Sequence, residues 1–318
     1  MFDRIKNLIA GIFIIALLTF VGAIVIASPD YRLSLIEMIP FIENNKGFSI
    51  ERNIAYGKGP SNSGDIYSPL NLKTPAPAAV VIHGGGWRTG SKNDAFEKGV
   101  SRHLAQNGFV AYNIDYPLVG EGGGFPKEIK AAKDAVLFLE ENASKFQINP
   151  DAIFLVGYSS GAQIAMMAAY TSKDKILAPR DYPDEKLPVK AVAAFAAPAN
   201  LVDDDHQIIN DYLKDFDEMK EPEARIFASP ITYASSAVPT ILVHGTEDRN
   251  VSIAQSDALA KELVKEKIPS RIVRLEGGDH FIGPATREAA MKQVVEFFNT
   301  SLIQVKSWRD PELEASFE

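Results

Sequence analysis

The 318-residue sequence contains no cysteine, which excludes disulfides, thiolate nucleophiles and cysteine-ligated zinc or iron–sulfur centres. The compartment stays open, because a chain of this length buries a sizeable core without covalent staples. Positive charge is short as well: 33 Lys and Arg stand against 41 Asp and Glu, a formal net charge of -8. With no basic stripe interleaved with aromatics, that balance opposes a nucleic-acid partner. Internal repeats and low-complexity tracts are absent. What remains, 46% hydrophobic and 23% charged residues, is the balance of an ordinary globular chain, and the length fits one large domain with an N-terminal extension.

A single long apolar run stands out. Residues 8–27 read LIAGIFIIALLTFVGAIVIA, about twenty uncharged residues that as a helix match the roughly 30 Å hydrocarbon thickness of a bilayer. Arg4 and Lys6 precede it, so the positive-inside tendency leaves the N-terminus in the cytoplasm and everything beyond Pro29 outside it, in a periplasmic or extracellular space. A cleaved signal peptide competes, with Val25-Ile26-Ala27 ahead of Ser28 as its cleavage site, although the run exceeds a usual signal core. A buried soluble helix is opposed by the lack of any polar interruption. Residues 33–42, LSLIEMIPFI, are apolar but short. Packing onto the following domain competes there with a place on the membrane surface or at an acyl-binding mouth.

From about Phe48 onward, β-rich stretches alternate with helical patterns, the order of an α/β domain with a mainly parallel sheet covered by helices on both faces. Strands are expected at 78–83, 109–115, 153–156, 189–195, 240–243 and 271–275, and helices at 92–106, 127–144, 253–265 and 284–299. The run QIAMMAAY after Gly161 is a further helix packed on the sheet. Charged, Pro-containing segments between Thr171 and Pro188 and between Asn200 and Phe227 interrupt the alternation, as small cap insertions above a sheet do. The domain division is therefore 1–45 for the anchor or signal segment and linker, 46–304 for the α/β domain, and 305–318 for a loosely held tail.

Four short motifs carry chemistry. Gly157-Tyr158-Ser159-Ser160-Gly161 fits G-x-S-x-G with Ser159 at its centre, between a strand and a helix. Its glycines permit a sharp elbow that lifts the hydroxyl clear of the sheet, and the helix start directs N–H groups at developing negative charge. His83-Gly84-Gly85-Gly86-Trp87 follows a strand, and its glycines let backbone N–H groups approach a substrate oxygen. A phosphate cradle would need a Lys-Ser/Thr pair that does not follow. His244-Gly245-Thr246-Glu247-Asp248 places a carboxylate at the end of another strand, where open α/β sheets build their sites. Asp248 is the expected acid and Glu247 the near alternative. Gly277-Gly278-Asp279-His280-Phe281 supplies His280 as the base, giving the chain order Ser, Asp, His.

The other four histidines compete poorly. His103 falls inside a helix, and His83 and His244 brace their glycine turns. His206 with Asp203, Asp204 and Asp205 suggests a metal site, but an acidic run in an insertion reads as solvated surface. Gly122-Gly123-Gly124 has no preceding strand and reads as a mobile loop.

Together, His83 to Trp87, the Ser159 elbow, the Asp248 loop and His280-Phe281 resemble the esterase/lipase branch of the α/β-hydrolases. The hormone-sensitive-lipase-like carboxylesterases and the feruloyl-esterase-like group are nearest. The resemblance covers about Phe48 to Leu302 and includes Ala228-Ser229-Pro230-Ile231 before the acid-bearing strand. It departs where Pro117-Leu118 follows Asp115-Tyr116 in place of the usual arginine, and where Ser160-Gly161-Ala162 replaces Ala-Gly after the nucleophile. The resemblance implies an α/β-hydrolase fold and an oxyanion hole from the N–H groups of Gly85, Gly86 and Ser160. It also implies no cofactor and a small-molecule ester as substrate. A peptidase of the prolyl-oligopeptidase sort shares the order but normally carries a propeller that this chain has no room for. An inactive, membrane-tethered binding module is the alternative from outside enzymology.

Overall fold

The computed structural model describes residues 47–179, 187–202 and 206–309, the side chains of 303–309 excepted. The apolar segment 8–27, the stretch 33–42, part of the first insertion and residues 203–205 of the acidic run lie outside the described residues. Among the described residues, no helix is long and apolar enough to cross a membrane.

Eight strands form one sheet: β1 (Phe48–Ala55), β2 (Ser63–Pro69), β3 (Ala76–Ile82), β4 (Val110–Ile114), β5 (Ile148–Tyr158), β6 (Val189–Phe195), β7 (Thr240–Gly245) and β8 (Ser270–Leu275). Their spatial order is β1-β2-β4-β3-β5-β6-β7-β8. The six strands from β3 to β8 run parallel, and β1 and β2 close one edge antiparallel. β-branched and alanine residues dominate the central strands because both faces are covered; every residue of β4 and β7 is buried.

Helices α1 (Ala95–Gln106), α2 (Lys127–Glu141), α3 (Ala143–Phe146), α4 (Ser160–Tyr170), α5 (Gln207–Leu213), α6 (Glu223–Phe227), α7 (Ala254–Lys265) and α8 (Pro284–Arg309) complete the chain, with a 3-10 stretch at Pro230–Ser236. One face packs Val80 and Ile82 of β3 with Ile129 and Val136 of α2, Ile164 of α4 and Leu263 of α7. The other packs Val81 with Val100 and Leu104 of α1 and Met291, Val294 and Phe298 of α8. Alternate residues of one strand thus feed two cores, as the period of two requires.

Three expectations need correction. Two antiparallel strands, β1 and β2, precede the parallel run, where only a general β-richness is legible. In β2 the buried Asp65, paired with Lys92 Nζ at 2.6 Å and Arg52 at 3.2 Å, puts a charge where a buried strand normally shows an apolar residue. The strand expected at 153–156 is longer, because β5 begins at Ile148 and carries its polar Asn149, Pro150 and Asp151 exposed. The last helix does not stop at Asn299. No Pro or Gly interrupts the sequence before Pro311, and α8 continues to Arg309, so residues 305–309 of the expected tail are helical.

β3 has β4 on one side and β5 on the other, so the connections leaving these strands diverge. The crevice outside their C-terminal ends is the place where this topology opens a binding site.

Candidate active site

The elbow sits at that crevice. Ser159 links β5 to α4 with φ 53° and ψ -122°, a left-handed conformation that costs a non-glycine residue on the order of 1–3 kcal/mol. The turn is held by Ser159 N–H donating to the Phe195 carbonyl at 2.8 Å and Ala162 N–H to the Ser159 carbonyl at 2.9 Å. Close approach explains the flanking glycine: a Cβ on Gly161 would overlap the carbonyls of Ile82 and His83. Helix α4 begins at Ser160, so its first amides have no intrahelical acceptor and point their positive end at the elbow.

The structure brings the three expected side chains together. Nε2 of His280 lies 3.1 Å from Ser159 Oγ, and its Nδ1 lies 2.8 Å from Asp248 Oδ2. A carboxylate only accepts, so Nδ1 carries the proton and Nε2 accepts the serine O–H. Asp248 and His280 are both buried; Glu247, the alternative acid, is exposed. Oδ1 of Asp248 accepts the N–H groups of Asn250 and Val251, each at 2.9 Å. Burial pushes the Asp248 carboxyl up, but hydrogen bonds from His244, His280 and the Val251 amide outweigh it and hold the acid well below the usual carboxylate range. The Tyr158 hydroxyl donates to the His280 carbonyl at 2.9 Å and Asp279 Oδ1 accepts the His280 N–H at 2.6 Å, fixing the backbone of His280.

The glycine loop runs beside the elbow. A Cβ on Gly84 would lie 3.2 Å from Ser159 Cβ. Gly85 has φ +110°, and its carbonyl accepts Thr89 N–H at 3.0 Å and Arg88 N–H at 3.2 Å. That turns the loop back on itself, and among the described residues no acceptor occupies the Gly85 or Gly86 amide. His83 braces the loop: Nδ1–H donates to the Gly84 carbonyl at 2.7 Å and the ring stacks on Tyr116 with centroids 4.1 Å apart. Burial lowers its pKa.

A cleft of about 370 Å³ opens over these groups, lined by Gly85, Gly86, Trp87, Tyr158, Ser159, Ser160, Pro198, His206, Ile208, Ile209, Asn250, Val251, His280 and Phe281. Of these walls, Pro198, Ile208 and Ile209 carry no mark in the sequence. His206 is at the cleft, at the start of α5, whereas the three aspartates beside it are outside the described residues. Among the described residues no acidic or histidine cluster suited to a metal ion occurs. His103 lies on α1 and takes no part in the lining. The glycine triplet is also different from expectation: Gly123 and Gly124 are buried, and the Gly124 N–H donates to Glu128 Oε1 at 2.5 Å, so this is a packed turn.

A serine elbow at the switch point after β5, a carboxylate and a histidine from the turns after β7 and β8, and a glycine loop with free amides form the arrangement of an α/β-hydrolase of the serine type. Residues 64–263 match BD-FAE, and the chain belongs to that family. It is 27% identical over 241 residues to a probable isoprenylcysteine alpha-carbonyl methylesterase of Oryza sativa, covering 72% of this chain and 57% of the relative. It is 28% identical to esterase LipQ of Mycobacterium tuberculosis, covering 66% of this chain and 52% of that protein. The chain thus spans about half the length of the curated relatives it matches. Among solved structures, a truncated carbohydrate esterase from gut microbiota superposes with a TM-score of 0.71 at 22% identity, covering 81% of this chain and 98% of that one. Esterase B of Lactobacillus rhamnosis gives 0.70 at 18% identity, covering 93% and 98%. At such identities these structures bear on the fold alone.

Proposed function

We propose that this chain is a serine carboxylesterase whose nucleophile is Ser159, with His280 as general base and Asp248 as its orienting acid. The observation that carries this reading is the continuous hydrogen-bonded relay Ser159–His280–Asp248 beside the amides of Gly85, Gly86 and Ser160. Ser159 Oγ attacks the ester carbonyl while His280 Nε2 takes its proton, and the carbonyl π electrons move onto oxygen. Asp248 stabilises the resulting imidazolium without taking the proton. The oxyanion accepts from the three amides, each such donor being worth about 3 kcal/mol in the transition state. Collapse expels the alcohol, which receives the proton from His280. Water, deprotonated by the same imidazole, then cleaves the acyl-enzyme.

The relatives' names support ester chemistry, and the cleft supports a compact substrate, since about 370 Å³ is at the small end of ligand pockets. Trp87, Tyr158, Pro198, Ile208, Val251 and Phe281 make its walls mainly apolar. p-Nitrophenyl esters of graded chain length, assayed beside acetylated and feruloylated sugars and a peptide, test the reading. Turnover of the esters with covalent labelling of Ser159 by a fluorophosphonate is expected, and Ser159→Ala is expected to lose about a million-fold. Cleavage of the peptide alone, or a protein that neither labels nor turns over, would sink it.

Residues 8–27 support a membrane anchor, with the catalytic domain held outside the cytoplasm on the side opposite Arg4 and Lys6. Cell fractionation with an alkaline wash, followed by protease treatment of intact cells, is expected to leave the enzyme in the membrane and exposed to the protease. A released protein beginning at Ser28 would instead mean a cleaved signal.

A further inference from the structure

His244, the last-but-one residue of β7, is fully buried, and both of its ring nitrogens are committed. Nε2 lies 2.8 Å from the Val251 carbonyl and 3.1 Å from Asp248 Oδ2; Nδ1 lies 2.7 Å from Ser256 Oγ. A carbonyl oxygen can only accept, so Nε2 carries a hydrogen, and in the neutral ring Nδ1 then accepts the Ser256 hydroxyl proton. The same Oδ2 receives His280 Nδ1–H at 2.8 Å. Ser256 belongs to α7, whose preceding residue Gln255 accepts the amides of Ala199 and Asn200 at 3.1 and 2.7 Å. One turn of one helix therefore anchors both the acid loop and the chain that leaves Pro198 at the cleft.

We propose that His244 is a positioning residue for the Asp248–His280 pair. Held by Ser256 on one nitrogen, it directs its other N–H at Val251 O and Asp248 Oδ2 and so fixes which carboxylate oxygen faces the base. Asp248 is then clamped on both oxygens: Oδ1 by the Asn250 and Val251 amides, Oδ2 by two imidazoles. The Val251 peptide closes the ring, because its N–H binds the carboxylate while its carbonyl binds the histidine that faces the same carboxylate. A buried histidine that served packing alone would need partners for its nitrogens, but nothing would require one of those partners to be the oxygen the base uses.

The inference rests on the proposed catalytic roles, and it predicts two effects that mere packing does not. Removing the donor frees Oδ2 to rotate, so the transition state suffers while substrate binding does not. It also leaves the carboxylate more basic and a stronger partner for the imidazolium, so the acidic limb of the kcat/KM profile moves to higher pH. Among the described residues, the titratable groups facing this pair are Tyr158 from β5 and Asp279 from the turn after β8, with Glu97 of α1 acting on Tyr158; these stay in place in the variants below.

The experiment uses the full chain, with active sites counted by phosphonate titration of Ser159 so that misfolded protein drops out. His244→Leu is expected to lower kcat per titrated site about 10- to 100-fold, with KM nearly unchanged and the acidic limb displaced upward. His244→Gln, which keeps an N–H near the position of Nε2, is expected to recover most of the loss. If His244→Leu does not fold, Ser256→Ala carries the test with a smaller fall, about threefold, and the same direction of displacement. Labelled variants with wild-type kcat and an unmoved acidic limb overturn the role of His244 alone. A wild-type protein that Ser159-directed phosphonates do not label overturns the catalytic reading beneath it.

Discussion

The strand-end turns and the insertion between β6 and β7 meet in one cleft, yet different forces hold them. Ser159, Asp248 and His280 stand on turns whose backbone is hydrogen-bonded to the ends of buried parallel strands. The insertion is held mainly by side chains, beside the backbone bond from Phe125 N–H to the Tyr212 carbonyl. Tyr212 of α5 stacks on Trp87 with centroids 4.4 Å apart and meets Phe125 edge-on. Gln163 on α4 accepts the Trp87 indole N–H at 3.1 Å and donates to the Ala228 carbonyl at 2.8 Å. Asp211 pairs with the exposed Arg88 at the surface. Turns fixed by a sheet keep the sub-ångström placement that proton transfer needs. Walls fixed by aromatic contacts can change in size and lining while the relay stays in place, so under the proposed function chemistry and substrate choice fall to separable parts of the molecule.

The first way to break that separation is to disturb the relay without its geometry. Asp248→Asn keeps the side-chain shape but removes the charge and lets the wrong ring nitrogen carry the proton. Turnover is expected to fall about ten-thousand-fold, equally for every ester in a chain-length series. A variant whose loss depends on the acyl group would show that the acid loop also shapes the substrate site. Acid stability gives the same residue a second signature. Its folded carboxyl lies below the ordinary 3.8, so its contribution is present above that value and is lost as the pH falls through the folded pKa. The wild type is accordingly expected to lose more stability than Asp248→Asn on acidification below about pH 4.

The same division decides what was legible beforehand. Ser159, Asp248 and His280 are each announced by glycine next to a β-branched run, because a chain that must turn sharply at a strand end and let another backbone pass needs residues without a Cβ. Gly161, pressed against the carbonyls of residues 82 and 83, is such a case. The cleft walls carry no such mark. Ile208 and Tyr212 lie in a polar stretch whose contacts with Gly86 and Trp87 cross more than a hundred residues, and neither period nor composition encodes that pairing. β2 escaped for the opposite reason, since its buried Asp65 is satisfied by Lys92 and conceals an interior strand behind a charge. His244 was visible as a turn-bracing residue, but its approach to Asp248 depends on how the loop from 245 to 251 folds back.

Changes in the insertion should move specificity and leave the rate of the best substrate near its original value. The Ile208 side chain fills the space that a Cβ on Gly86 would take, so it forms the cleft wall directly over the glycine loop. Ile208→Ala is expected to raise the kcat/KM ratio of a longer to a shorter p-nitrophenyl ester about tenfold. An unchanged ratio, with both esters slowed alike, would place Ile208 in support of the oxyanion site and blur the division. Across the opening, the Phe281 ring lines the cleft while 82% exposed among the described residues, so it offers apolar surface to a bound substrate. Phe281→Ala is expected to raise KM about fivefold with kcat little altered, read from saturation curves on the preferred ester.

The smallest effect on turnover belongs to the change that tests whether the support of the insertion is tuned at all. Glu128, in the first turn of α2, accepts the Gly124 amide through Oε1, and its buried Oε2 has no partner among the described residues. The adjoining Phe125 N–H donates to the Tyr212 carbonyl at 2.9 Å, so this turn carries α5. Burial pushes the Glu128 carboxyl up from 4.5 to about 7, above its unfolded value, and the fold therefore favours the neutral acid. Its contribution is complete below about pH 4.5 and is lost as the pH rises through about 7. Glu128→Gln keeps an acceptor for Gly124 and cannot ionise. At pH 8 its unfolding free energy is expected to exceed that of the wild type by on the order of 3 kcal/mol, at pH 4 the two should coincide, and ester turnover should be the same in both. A variant less stable than the wild type at pH 8 would mean that the Glu128 charge is used by the turn, and that the insertion rests on an ion as well as on its aromatic contacts.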